Sequence, residues 1–306
     1  MNPEIKAQLE RLQLGRVRLQ RQKREDYGKQ RDLSGFGETG ETPTTAYFRP
    51  SGCRLVGEAS SESEFPVEGA PEVCFIGRSN VGKSSLLNAI VGVPLSKTSP
   101  KPGETTNVRW YSNSGLLTLV DLPGYGFSFA QENRSAVWME AAKAYLQRRK
   151  ALKRCFVLLD SRQPLKRSDE STMQFLEECN VTYQVVLTKA DLVDIDDLAR
   201  RVEQMQNSLR THFTRAIPDI LVVSSQNRSG LAILRKQLIS LMPADKLEEF
   251  EKLRDKKFVV AQKRRVKRAD QAEHERQLEL QRQRIHSRRA LLKHVRQDRK
   301  ASSPSL

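Results

Sequence analysis

Lys83 is the seventh residue of the run Gly77-Arg78-Ser79-Asn80-Val81-Gly82-Lys83-Ser84, with Ser85 next along the chain. The spacing G-x-x-x-x-G-K-[ST] suits it to binding a polyphosphate, because backbone N–H groups in such a loop point inward and cradle phosphate oxygens. Lys83 can reach the β- and γ-phosphates, and the Ser84 hydroxyl can ligate Mg²⁺. An eight-residue pattern gains specificity from what flanks it. Residues 71–76 (PEVCFI) form an apolar, strand-like run, and residues 85–93 (SLLNAIVGV) read as the helix behind the loop. The positive end of that helix adds to the attraction for phosphate.

A second constellation concerns the base. Thr188-Lys189-Ala190-Asp191 follows the strand-like run 182–187 (TYQVVL). A carboxylate at Asp191 can accept hydrogen bonds from N1 and N2 of guanine. Adenine offers no such donor pair on that edge, and sites built on a hydrogen-bonding feature reject analogues that lack it. The Lys189 stem can lie along the purine face while its amine approaches the phosphate loop. Val223-Ser224-Ser225, ending the run 219–224 (DILVVS), fits the loop whose backbone amide meets guanine O6. Between the phosphate and base motifs, Asp121-Leu122-Pro123-Gly124 ends an apolar strand over 116–120. Asp121 is placed to hold Mg²⁺ through water, and the Gly124 amide can approach the γ-phosphate closely. In the loop holding Gly103-Glu104-Thr105-Thr106, a threonine can close over metal and γ-phosphate as a switch. Thr105 is the preferred candidate, although spacing leaves Thr106 open. Lys83, Asn80, Thr105 and Gly124 are thus the candidates around the transferred phosphoryl group, with GTP or GDP and Mg²⁺ as cofactors.

The stretches GRSNVGKSSL (77–86), KPGETT (101–106), DLPGYGF (121–127) and TKAD (188–191) resemble those of EngB-type GTPases, as does DSRQP (160–164). The resemblance covers about residues 65–243 and neither tail. It implies a P-loop NTPase fold, GTP hydrolysis, and assistance to assembly of the large ribosomal subunit. It also implies ribosomal RNA, an assembly intermediate and ribosomal proteins or other assembly factors as partners. Glu104 and Thr106 depart from the family pattern, in which a basic residue and a glutamine are expected. Tyr125 stands where Ras-like GTPases carry a water-positioning glutamine, so intrinsic hydrolysis should be slow. Relatives with G-x-x-N-V-G-K-S hold K⁺ with the asparagine, here Asn80, which would offset phosphate charge. The alternative role for Asn80 is simply to tolerate a tight turn.

These motifs require strands and helices in alternation, and residues 67–243 supply them at the rhythm of a three-layer α/β fold with a mostly parallel sheet. Residues 1–32 read as a basic, helical N-terminal extension, 33–66 as a flexible linker rich in Gly, Ser, Glu, Thr and Pro, and 244–306 as a basic helical tail. Charge is uneven: the chain carries a formal +16, of which residues 245–306 contribute +9 (19 Lys/Arg against 10 Asp/Glu) and residues 1–31 contribute +5 (9 against 4). Lys263-Arg264-Arg265-Val266-Lys267-Arg268 is the densest cluster. Clustered cations gain by releasing counterions from RNA phosphates. A solvated helix or a nuclear-import signal are the competing interpretations. The four cysteines lack metal-ligand spacing, and Cys74 and Cys155 fall in expected buried strands, so all read as thiols of a reducing compartment. No apolar run approaches the roughly 18 residues of a membrane span. A monomer is expected. Extensions at both ends favour an organellar form, in the mitochondrial matrix ahead of the plastid, with bacterial cytoplasm and nucleus as alternatives.

Overall fold

The computed structural model describes residues 2–15, 47–48, 52–95, 107–124 and 132–252. Gly103, Glu104, Thr105, Thr106, Tyr125 and the cluster 263–268 lie outside them. The chain divides into two compact units, Met1–Pro243 and Ala244–Leu306.

In the first unit the described elements are α1 (Pro3–Arg11), β1 (Cys53–Ala59), β2 (Glu72–Gly77), α2 (Lys83–Val91), β3 (Val108–Asn113), β4 (Leu117–Asp121), α3 (Glu132–Arg148), β5 (Leu152–Asp160), α4 (Arg167–Glu178), β6 (Tyr183–Thr188), α5 (Ile195–His212), β7 (Ala216–Val222) and α6 (Leu231–Ile239). The seven strands form one sheet in the order β1-β3-β4-β2-β5-β6-β7. From β4 onward the pairs are parallel, whereas β1–β3 and β3–β4 are antiparallel. This is the mostly parallel α/β sheet expected from the strand–helix alternation.

The central strands β2, β4 and β6 are buried at every residue. Strands covered by helices on both faces read as continuous apolar runs, which makes them conspicuous in the sequence. Cys74 and Cys155 face each other across β2 and β5 with no solvent exposure, and all four cysteines are free thiols. Phe75 stacks on Phe156 in the next register position, with ring centroids 5.3 Å apart.

Residues 33–66 are not linker throughout. Cys53–Ala59 is an edge strand that pairs with β3, and Glu62–Glu64 forms a short 3-10 turn. Only Cys53 and Ala59, at its two ends, are buried, and Leu55 and Val56 are exposed. A bulge between Leu55 and Gly57 also breaks the alternation. The strand therefore lacks the period-2 pattern and owes its existence to backbone pairing with β3.

At the start of the chain, Asn2 caps α1 by accepting from Glu4 N–H at 2.9 Å. The helix packs on α5 by burying Leu9, while Lys6 pairs with Asp196 at 2.6 Å. In the second unit residues 244–252 are helical, with Lys252 and Glu248 paired one turn apart.

The end of the sheet opposite the phosphate loop carries a buried charge. Glu72 accepts from Trp110 Nε1 (3.3 Å), Tyr145 Oη (3.0 Å) and the Arg149 guanidinium (2.6 and 3.0 Å). Arg149 also lies over the Trp110 ring. Both charged side chains are almost wholly buried, so breaking the pair leaves an uncompensated charge. Arg149→Met is expected to destabilise the fold by about 3–5 kcal/mol, read as a shift in the denaturant midpoint.

Candidate functional site

The phosphate loop starts where β2 ends at Gly77. Asn80 (φ +62°) and Gly82 (φ +101°) take left-handed conformations that fold the chain back onto the start of α2. Asparagine tolerates this region, and at φ +101° glycine avoids a Cβ penalty. Val81 is buried beneath the loop. Gly82 occupies the N-cap of α2, and no side chain caps that end. The first-turn N–H groups, including those of Lys83, Ser84 and Ser85, are therefore available to phosphate oxygens.

Asp121 ends β4 beside this turn, because β4 is the parallel neighbour of β2 with Asp121 opposite Phe75. Lys83 Nζ donates to Asp121 Oδ1, and both side chains are buried. The second carboxylate oxygen of Asp121 is buried without a hydrogen-bond partner. An acceptor so placed fits a Mg²⁺-bound water, with Ser84 as a direct ligand. Bound there, the ion would neutralise charge on the β- and γ-phosphates. Leu122 and Pro123 carry the chain on, both buried. Gly124 then runs so close to the phosphate loop that a Cβ on it would lie 3.3 Å from both Gly77 O and Ser79 N. A bare backbone amide can thus face the γ-phosphate position.

The base motif stands at the end of β6, two strands away from β2 with β5 between. The Thr188 hydroxyl donates to Val81 O at 2.7 Å, with Leu159 O 3.2 Å away. Lys189 adopts φ +56°, which turns its side chain back toward the loop. Its Nζ donates to Asn80 O and, at 3.0 Å, to Asp160 Oδ2. Ala190 N–H donates to Val223 O at 3.3 Å and joins the base motif to the end of β7. The Ser224 hydroxyl donates to Asp191 Oδ1 at 2.6 Å. Ser224 N–H is committed to Ser229 O at 3.0 Å, so the amide left for guanine O6 is that of Ser225.

The structure therefore brings together Gly77 to Ser85, Asp121 to Gly124, Thr188 to Asp191 and Val223 to Ser225 along the carboxyl ends of parallel strands, where ligands of open α/β sheets bind. Three roles are not legible in the sequence. Ser224 is expected there to offer its backbone, yet its hydroxyl orients the guanine-reading carboxylate. Asp160 and Arg162, within the DSRQP stretch, carry no site role in the sequence reading. Arg162 donates to Asp160 through Nε (2.9 Å), a terminal nitrogen (2.7 Å) and its backbone N–H (3.0 Å). Burial opposes ionisation of Asp160, but these bonds and Lys189 outweigh it and hold its carboxyl at about 2. The position of DSRQP, at the end of the strand between β2 and β6, is the signal that points to it.

A cavity of about 570 Å³ adjoins the site, lined by Arg78 to Val81, residues 158–166, Lys189 and one face of α5. Its described lining includes phosphate-loop residues and Lys189 but not Lys83, Asp121, Asp191 or Ser224.

A phosphate loop, an aspartate with an unpaired buried oxygen beside it and a carboxylate held by Ser224 at the end of β6 are the parts expected of a guanine-nucleotide-binding P-loop protein. Comparison with known proteins agrees. A family model described as "50S ribosome-binding GTPase" matches residues 72–189. A probable GTP-binding protein EngB of Ruegeria sp. is 43% identical over 171 residues, covering 56% of this chain and 79% of the relative. One from Anaplasma phagocytophilum is 41% identical over 188 residues, covering 61% of this chain and 97% of the relative. A crystal structure of a probable EngB is 19% identical with a TM-score of 0.44, over 56% of this chain and 97% of the other. The chain belongs to the EngB family of GTP-binding proteins and is a GTPase.

Two substitutions probe the base contact. Asp191→Asn is expected to weaken GTP binding by more than about tenfold, since a hydrogen bond to a charged group contributes roughly 1.5–3 kcal/mol. Ser224→Ala removes only the orienting bond and should cost about fivefold, near 1 kcal/mol. Titration with a fluorescent guanine nucleotide measures both, with ATP as competitor to report selectivity.

Proposed function

We propose that this GTPase is an assembly factor for the large ribosomal subunit of an organellar ribosome, in the mitochondrial matrix, and contacts ribosomal RNA through its basic extensions. The observation that carries the nucleotide half is the junction of Asp191, held by Ser224, with a phosphate loop that Lys189 spans. The ribosomal half is supported by the "50S ribosome-binding" description of the matching family model and by the charge distribution. Of the formal +16, residues 245–306 hold +9 and residues 1–31 hold +5. The nucleotide-binding portion is close to neutral, so attraction for a polyanion resides in the extensions. No described helix is long and apolar enough to cross a membrane.

For hydrolysis, the loop amides and Lys83 are placed to stabilise charge on the transferred phosphoryl group, and Ser84, Asp121 and Thr105 would hold a Mg²⁺ that, when bound, would supply further charge neutralisation there. Tyr125 in place of glutamine leaves the attacking water poorly positioned, so the assembly intermediate is the natural activator. A second reading follows from the same residue: a GTP-gated RNA-binding placeholder with negligible turnover. Between the two stands the source of compensating charge. K⁺ held by Asn80 would supply it in the absence of an arginine finger. The Asn80 side chain is exposed and its carbonyl serves Lys189.

Three measurements test these readings. GTP turnover should rise when large-subunit assembly intermediates are added; a rate indistinguishable from zero with and without them favours the placeholder. Turnover should be faster in K⁺ than in Na⁺ buffer, and Asn80→Ala should erase that difference. Truncation after Asp245 should leave GTP affinity near wild type, because the nucleotide motifs all precede Gly230. It should also weaken binding to ribosomal RNA and flatten its salt dependence by roughly one unit of slope for each phosphate that the tail neutralises. Filter binding of both chains at several salt concentrations reads this out, and superimposed curves exclude the tail as the RNA-binding segment.

A further inference from the structure

We propose that Asp160 and Arg162 are positioning residues for guanine-nucleotide binding: Asp160 and the Asn80 carbonyl together clamp the Lys189 ammonium, and Arg162 fixes the Asp160 carboxylate. The inference rests on the nucleotide reading above and extends it to residues that touch no nucleotide.

Lysine is a flexible chain with a compact charge, and much rotamer freedom is lost when it is ordered. A lysine that must form one wall of a purine slot binds better if it is already in place. Here Lys189 is anchored at both ends. Its backbone is left-handed at φ +56°. Its stem crosses the phosphate loop near Gly82, where an added Cβ would lie 3.8 Å from Lys189 Cε. Its ammonium then has two acceptors, Asn80 O and Asp160 Oδ2.

The Asp160 carboxylate could not do this alone without being oriented. Oδ1 accepts from the backbone N–H and Nε of Arg162, at 3.0 and 2.9 Å. Oδ2 accepts from the other arm of the guanidinium at 2.7 Å and from Lys189 at 3.0 Å. The forked pairing is the geometry that sets a carboxylate plane most firmly. Asp160 and Arg162 line the cavity beside the phosphate loop, whereas Asp191 and Ser224 do not. The clamp thus reaches the Lys189 ammonium from the end of β5, through residues that border this cavity, and not through those around Asp191. The α5 helix braces the same segment, through Arg201 donating to Gln163 O at 2.8 Å.

The test uses the full chain and stopped-flow release of fluorescent GDP and GTP analogues. Asp160→Ala should speed release of both by about tenfold, the scale of one hydrogen bond to a charged group. Asp160→Asn keeps an acceptor and should stay within about threefold of wild type. Arg162 is half exposed, so Arg162→Ala tests the clamp with little risk to folding. It should give a smaller acceleration that disappears in an Asp160→Ala background. The deciding arm is Lys189→Ala, in which Asp160→Ala should have no further effect. A merely structural Asp160 would lower the melting temperature equally in both backgrounds and leave release unchanged. Release from Asp160→Ala at the wild-type rate, or an additive effect with Lys189→Ala, overturns the inference and leaves the nucleotide reading standing. A wild-type chain that binds no guanine nucleotide overturns both.

Discussion

The hydrogen bond from Thr188 to Val81 O ties the two halves of the nucleotide site together. The phosphate loop follows β2 and the TKAD motif follows β6, with β5 between them. Parallel pairing sets the heights of the strands, but the loops beyond them are free to splay. The Thr188 hydroxyl reaches across at 2.7 Å with both partners buried. A buried carbonyl left without that donor would cost about 1–3 kcal/mol. That bond ties the phosphate loop to the end of β6. Lys189 adds a second, charged link beside the first.

Charge in the folded part is arranged so that each buried ion has a partner, and the two ends of the sheet use this differently. At the amino end of β2, Glu72 is satisfied by Trp110, Tyr145 and Arg149 with no room for anything else. That network is a closed structural unit. At the carboxyl ends, Lys83 meets Asp121, which keeps one buried oxygen unpaired. An unpaired buried acceptor is costly in a fold and useful in a site, since metal-bound water or a protonated group can claim it. The same sheet therefore carries a saturated ion cluster at one end and an unsaturated one at the other, and only the second can respond to a ligand. Arg235 performs a third, purely structural task by donating to Ile90 O and Ala89 O at the end of the P-loop helix.

What is legible in the sequence tracks how locally each feature is determined. The phosphate loop, Asp121 and TKAD are short motifs whose chemistry fixes residue type at fixed spacing, and each stands at the end of its expected strand. The buried strands announce themselves through apolar runs such as VCFI in β2 and YQVVL in β6, the latter broken only by Gln184. The edge strand Cys53–Ala59 does not. An exposed strand with a bulge has no hydrophobic period to read, and this one is made by a partner far along the chain, with Cys53 opposite Asn113 and Ala59 opposite Val108. The Ser224 and Asp160 roles are hidden for a related reason. Each acts through a tertiary hydrogen bond, Ser224 to Asp191 and Lys189 to Asp160, between distant residues. Nothing in a run of serines or in DSRQP states where its side chains point.

The separation of charge from catalysis has a physical consequence for any partner. Near-neutral surroundings let the nucleotide pocket rely on directional hydrogen bonds, whose strength changes little with salt. Clustered cations such as those outside residues 32–244 would, on a polyanion, respond steeply to ionic strength, because such contacts act by releasing counterions. Had the +14 of the extensions (+9 and +5) been spread around the pocket, nucleotide affinity and polyanion affinity would rise and fall together. On the proposed function, keeping them apart would let the two be set independently, GTP occupancy by the geometry at Asp191, Lys189 and the phosphate loop and attraction to RNA by the extensions. Coupling between the two then requires a conformational element that senses γ-phosphate. By sequence position, the candidates for that element are the residues between α2 and β3, which include Thr105, and those after Gly124, which include Tyr125.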